Sequence, residues 1–422
     1  MHSSVSTIPA RFMYKSYSKK ILPKKEPRAI DRFASVVAAA SPILGIYSAG
    51  FQGIAIIDFF IIPLVVIYLI NLSGIHRSIV IIIIVFLFAN IVALISASQA
   101  LTDIYWASMA TRSGKFLLYL AFVGFLATRL DFELFLRTLG ILGILTYGGV
   151  LFQFFLQAMT GSFFGLWLPF LQLMGGVTQA ELIEVQLIHQ KPSSVFLEPA
   201  HLSYFLSIHF ITLMYLGRMR FSVWVLFAVV VAVIQSSYGF FLFLVLSFFY
   251  LFQVMRGKLS KGLAILSVSI FTLLFLLASF DHLTGLYVVQ RLLEVDSVAL
   301  TGRTEAGQEV VENLHGIQSV VGVGFGNRED TTYMNFIYTT VYSFGWLGFF
   351  ILLAAWAFLL TLERGFRFVA ILILFPLSVA SPVLYSYYVI PFSLLIVSGP
   401  RALARKRNFD VSLENAKTIQ KA

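Results

Sequence analysis

Ser78–Ser98 reads SIVIIIIVFLFANIVALISAS, 21 residues without a single charge. A helix needs about 20 mainly apolar residues to cross a bilayer, so this stretch has the length and composition of a membrane span. The same criterion, applied outward in both directions, gives spans near 31–50, 53–71, 78–98, 115–130, 136–159, 201–217, 221–235, 238–255, 261–280, 333–360, 366–380 and 382–398. The expectation is an all-α polytopic membrane protein with about 12 transmembrane helices, a span length of about 20 residues leaving 11–13 open. The short pairs meeting at Gln235-Ser236-Ser237 and at Ser381-Pro382 account for that range. Lone prolines such as Pro42, Pro63 and Pro376 are tolerable kinks, because neighbouring helices satisfy the freed carbonyls.

Composition agrees. The chain is 59% hydrophobic and 12% charged, whereas a soluble domain carries about 25% charged residues. The basic first 30 residues hold Pro9, Pro23 and Pro27 and lack the apolar core of a cleavable signal peptide. With Cys 0, disulfides, thiolate catalysis and Cys-based metal sites are excluded. The net charge of +10 is better explained by cytoplasmic loops than by nucleic acid.

Orientation follows from lysine and arginine in the loops. With both termini inside, the inner connections and tails take all but six of the 30 basic residues; the outer six are Arg112, Lys115, Lys191, Arg291, Arg303 and Arg328. Most acidic residues fall outside. The resulting organisation is a basic cytoplasmic tail (1–30), N-terminal spans (31–160), a first long outer loop (161–200), central spans (201–280), a second long outer loop (281–332), C-terminal spans (333–398) and a second basic tail (399–422). No internal repeat is visible, which disfavours transporters built from duplicated halves.

The two outer loops carry the polar chemistry. The first opens on an aromatic segment around Trp167, as expected of rings at headgroup depth, and ends in Lys191-Pro-Ser-Ser-Val-Phe-Leu-Glu198-Pro199. Pro199 can start a helix, which leaves Glu198 beside a helix N-terminus. There it is either a carboxylate stabilised by the dipole or a general base. His201, Phe205 and His209 recur every four residues and share a helix face, but the two histidines are about 12 Å apart, too far to share a metal. Arg291, Glu294, Asp296, Thr301-Gly302-Arg303 and Glu305 open the charged part of the second loop. Val310, Val311 and Leu314 give a narrow apolar stripe, the pattern of a short amphipathic helix ending near His315. Gly322-Val-Gly-Phe-Gly326 is too short for a dinucleotide fingerprint and reads as a tight turn. Arg303 is either paired with Glu305 or Asp296 or is a fork for phosphate oxygens.

Taken in order, these pieces resemble a known family. SSVFLEPAHLSYF (Ser193–Phe205) resembles the S-x-F-x-E-P element of O-antigen polymerases (Wzy) and related O-antigen ligases, and Gln235-Ser-Ser-Tyr-Gly239 resembles their S-x-G span start. Thr301-Gly-Arg303, Gly322–Asn327 and Gly345-Trp-Leu-Gly348 resemble their S-G-R … G-x-G-x-G … G-x-x-G run. The likeness covers roughly residues 190–350. It implies a membrane-embedded glycosyltransferase that needs no metal and no cofactor and works at the periplasmic face of the bacterial inner membrane, in lipopolysaccharide or related polysaccharide biosynthesis. Its partners would be undecaprenyl-diphosphate-linked oligosaccharide donor and acceptor, membrane lipids, and a chain-length regulator and flippase. It implies Arg303 as catalytic and diphosphate-binding, Lys191 where relatives carry an arginine, and Arg291 as a further cation. Glu198 or His201 would take the acceptor proton, with Asn335 and His315 as sugar contacts. Met334 stands where many relatives have a histidine before the asparagine, which weighs against the ligase. A ligase acting on lipid A core, or a flippase or other transporter without catalysis, stays open.

Overall fold

The computed structural model describes residues 28–49, 54–71, 74–99, 104–162, 164–166, 171–173, 192–196, 199–215, 219–234, 236–255, 307–327, 334, 336–361 and 385–398. They form a helical bundle: α1 (Ala29–Leu44), α2 (Ile56–Ile70), α3 (Arg77–Gln99), α4 (Trp106–Leu126), α5 (Phe132–Thr160), α6 (Pro199–Tyr215), α7 (Phe221–Ile234), α8 (Ser237–Met255), the short α9 (Ile317–Val321), α10 (Phe336–Thr361) and α11 (Val389–Ser398). The strand content among these residues is a two-residue antiparallel ribbon, β1 (Tyr47–Ser48) against β2 (Gln172–Leu173). The all-α expectation therefore holds. The predicted spans at 261–280 and 366–380 lie outside the described residues.

Local chemistry sets the helix ends. Asp31 and Asp58 each sit at the third position of their helix and reach back to a free backbone donor: Arg28 N–H to Asp31 Oδ2 (3.2 Å) and Ala55 N–H to Asp58 Oδ2 (2.8 Å). Asp131 caps α5 by accepting the Leu134 N–H at 3.2 Å. Gly161 closes α5 in the left-handed region at φ 66°, its N–H returning to the Gln157 carbonyl.

α1 packs on α2 and α5. From α2 one arm continues through α4 and α3 to α10 and α9; from α5 a second arm continues through α6 and α7 to α8. α3 and α5 are long and apolar enough to cross a membrane. On α3 the face Ile79, Ile82, Phe86, Asn90, Ala93 and Ala97 is buried, while Ile84, Phe88, Ile91 and Ile95 are exposed at helical spacing. A continuous exposed apolar stripe of this kind suits hydrocarbon rather than water.

The two ends of the bundle differ. The end holding the N-terminus of α1 gathers Arg28, Arg32, Arg77, Arg129 and Arg137. There Tyr68 donates to Asp31 Oδ1 (3.1 Å), Arg129 lies over the Tyr68 ring, and Arg32 faces Asp131 at 3.7 Å. The opposite end holds the C-terminus of α1, the N-termini of α2, α4, α6 and α10, and both described loop segments.

α4 starts earlier than hydropathy predicts. The run Thr111-Arg-Ser-Gly-Lys115 lowers the local mean, so the span was expected from 115; the helix begins at Trp106. Arg112 and Lys115, expected in a loop, are helical.

Candidate functional site

The N-terminal half of α4 presents two chemically different faces to the end opposite the arginine cluster. Ser108, Arg112, Lys115 and Tyr119 recur at helical spacing and form a polar track. Met109, Ser113 and Phe116 face the second loop, which the Arg112 stem also borders at Gly326. Lys115 Nζ is 3.4 Å from Asp58 Oδ2, and Tyr119 donates its hydroxyl to Asp58 Oδ1 at 2.7 Å. The Asp58 side chain is only 3% exposed. A buried carboxylate is tolerated when a cation and several donors surround it, and here a lysine, a tyrosine and a backbone N–H do so.

Both loops that carry the sequence motifs enter the bundle at this end. In the first, Pro192–Phe196 is a turn held against α5. Ser194 N–H donates to Gln153 Oε1 at 2.6 Å, and Gln153 Nε2 donates to the Phe164 carbonyl at 2.8 Å. Ser193 closes the turn on the Phe196 carbonyl (2.7 Å), and Phe196 stacks near Phe205 of α6. Ser194 adopts φ 54°, in the left-handed region, the one non-glycine to do so among the described residues. Its side chain lies on Gly149, where any Cβ would displace it.

In the second loop, the helical turn 307–312 leaves Glu309 and Glu312 exposed and delivers Leu314 into contact with Ala97 and Val323. Gly322–Asn327 then dives into the bundle as a turn, with Gly322, Gly324 and Gly326 all at positive φ. The turn expected from sequence is present, and it is buried throughout. Phe325 N–H donates to Asn90 Oδ1 (2.8 Å), midway along α3, and the Phe325 ring packs between Phe86, Phe116, Phe344 and Tyr385. Val323 and Gly324 donate N–H groups to the carbonyls of Tyr342 and Ser343, one turn before α10 breaks at Gly345. The Asn327 carboxamide oxygen accepts the Tyr105 N–H at 2.8 Å, and Gly326 abuts the Arg112 side chain, so the turn is seated on the first turns of α4.

A tyrosine turn, Tyr385-Ser-Tyr-Tyr388, ties these parts together ahead of α11. Tyr385 shares a 2.6 Å hydrogen bond with Thr340, Tyr387 covers Gly45 at the end of α1, and Tyr388 donates to the His201 carbonyl at 3.2 Å.

Of the residues the sequence singled out, His201 sits in the first turn of α6, half-buried beside Tyr204 and Tyr388. His315 is exposed before α9. His209 is buried against Gly143, with Nδ1 3.2 Å from the Tyr147 hydroxyl and Nε2 without a hydrogen-bond partner among the described residues. Arg303, Arg291, Lys191, Glu198 and Asn335 lie outside the described residues. No group of three His, Asp or Glu side chains is gathered as a metal site among the described residues. Sequence reasoning passed over Arg112, Lys115, Tyr119, Gln153 and Asn90 as functional candidates, and met Asp58 only as an ionisable residue inside a span. The signal for the α4 track was present in the four- and three-residue spacing of its polar side chains.

No family model, curated protein or solved structure matches this chain.

Proposed function

We propose that the chain is a polytopic glycosyltransferase of the O-antigen polymerase type, set in the bacterial inner membrane with about 12 spans of about 20 residues each. Both termini are cytoplasmic, and both long loops face the periplasm. The observation that supports this most directly is the seating of both motif-bearing loops inside the same end of the bundle, away from the arginine-rich end. Cytoplasmic loops are rich in Lys and Arg, so that orientation is the expected one.

The reaction joins two undecaprenyl-diphosphate-linked glycans. A hydroxyl oxygen of the acceptor sugar attacks the anomeric carbon of the donor; the new C–O bond forms as the bond to the diphosphate oxygen breaks. The diphosphate leaves with the electron pair, and the acceptor proton passes to Glu198 or His201. Diphosphate is already a good leaving group, so the protein chiefly aligns substrates and offsets developing charge. Arg303 holds the diphosphate, with Lys191 or Arg291 as a second cation and Asn335 and His315 at the sugars. Arg112, at the same end, adds a cationic fork suited to phosphate oxygens, while Lys115 one turn on is engaged by Asp58.

A second reading has one observation in its favour. The Asp58–Lys115 pair is an ionisable pair within helices read as spans, a feature common in transporters. The two readings separate in a strain lacking the chain. Loss of a polymerase leaves single repeat units on the lipid carrier and on its acceptor; loss of a flippase leaves none at the outer face; loss of a ligase leaves polymer unattached to lipid A core. Complementation with Arg303→Ala should reproduce the single-unit profile, and normal polymer from that variant would overturn the proposal.

A further inference from the structure

The two motif loops are held by matching devices. Each is a turn with a left-handed residue, buried among apolar helices, whose backbone N–H is taken by a carboxamide from the interior of a helix. Gln153 of α5 is 1% exposed and accepts from Ser194; Asn90 of α3 is 7% exposed and accepts from Phe325. A buried N–H without an acceptor costs about 1–3 kcal/mol, more than the net worth of an ordinary hydrogen bond. The carbonyls of α3 and α5 are engaged within their own ladders. The second turn reaches freed helix carbonyls only at the α10 break, where Val323 and Gly324 N–H bond to Tyr342 and Ser343, and the Phe325 N–H is left to Asn90. Each carboxamide therefore supplies the acceptor for a buried turn N–H, beside the other contacts that hold its turn.

We propose that Gln153 and Asn90 are positioning residues, two independent carboxamide latches that hold the Ser193–Phe196 and Gly322–Asn327 turns inside the bundle and so set where the adjoining loop residues reach the substrate. The substrate clause rests on the polymerase reading; the latches do not. The two differ in detail. Gln153 uses both ends of its amide, taking the Ser194 N–H and giving its own N–H to the Phe164 carbonyl, so it ties the first loop at two points 30 residues apart. Asn90 uses only its oxygen toward the second loop, and its Nδ2 has no partner among the described residues. An aspartate at 90, even protonated in an apolar setting, still offers a carbonyl oxygen to Phe325.

The chain has no cysteine, so single reporters can be placed without background. Ser193→Cys and Val323→Cys stand at positions with 0% and 1% exposure and report on one loop each. In the full chain in native membranes, a membrane-impermeant maleimide should label neither. Gln153→Met should raise labelling at 193 about tenfold or more and leave 323 protected; Asn90→Leu should do the reverse, because loss of a buried hydrogen bond shifts local opening rather than the whole fold. Asn90→Asp should restore protection at 323. Continued protection in both latch variants, equal exposure of both reporters in either variant, or failure of Asn90→Asp to restore protection would each overturn the proposal. The glycan profile of the same strains tests the other claim: labelling that behaves as expected in a chain whose deletion leaves the polymer normal would overturn the polymerase reading and leave the latches standing.

Discussion

Gly322 and Gly345 pack reciprocally: the backbone at Gly322 lies on residues 343 and 344 of α10, and the backbone at Gly345 lies on residues 320 and 321. Both are in the left-handed region, at φ 76° and 62°. The crossing is therefore backbone against backbone, which only glycine permits. It breaks α10 and exposes the Tyr342 and Ser343 carbonyls that the second loop uses. Alanine at either position should cost about 1–3 kcal/mol for a backbone at positive φ and extended ψ, which essentially only glycine adopts, and a further 1–3 for overpacking. Gly148→Ala, with nothing within 4 Å of its Cβ, is the control. Thermal unfolding of the detergent-purified protein checks this; equal melting temperatures for Gly345→Ala and Gly148→Ala would contradict it.

The Asp58–Lys115 pair predicts strong coupling. Removing either partner leaves a buried or half-buried charge, a change that costs about 3–5 kcal/mol when the pair is well enclosed. Asp58→Asn and Lys115→Met should each destabilise, and the double variant should be more stable than the sum of the single losses implies. A double-mutant cycle on unfolding free energy reads the coupling directly. Additive losses would mean that the two charges do not depend on one another.

Phe325 predicts a packing cost. Its ring meets Tyr385 at 4.7 Å and Phe86 at 5.4 Å between centroids. Phe325→Ala should cost about 3–5 kcal/mol, and Phe325→Leu clearly less, since it refills most of the space. Comparable losses for the two would place the ring outside a packed cluster.

How much of this was legible beforehand depended on sequence distance. α3 and α5 are continuous apolar runs, and their existence follows from composition over one window. The start of α4 does not, because Arg112 and Lys115 lower the window while Asp58, more than 50 residues away, is what makes Lys115 acceptable in a helix. The Gly322–Gly326 run announces a turn through its glycines; its depth is matched by partners far along the chain, among them Asn90, 235 residues earlier. No local period connects those two positions. For the candidate site, the four-residue spacing of His201 and His209 reads as one helix and the polar spacing of α4 reads as one track, whereas the latching amides depend on partners far along the chain.

Ser194 offers the last test, because it separates stability from positioning. A serine at φ 54° is held there by Gln153 and by the floor that Gly149 provides. Left-handed backbone costs a residue with a Cβ about 1–2 kcal/mol, and glycine avoids that cost. The Ser194 hydroxyl makes no hydrogen bond that stabilises the turn among the described contacts, whereas its N–H does, and glycine keeps the N–H. Ser194→Gly should therefore raise the melting temperature or leave it unchanged. Gly149→Ala should lower it, since a methyl group there displaces the Ser194 side chain, and combining it with Ser194→Gly should recover most of the loss. Strain retained at a motif residue points to a role in function rather than in folding. If the stabilised Ser194→Gly chain also makes less polymer, the strained serine serves the site; if both stability and polymer are unchanged, the strain has no functional part.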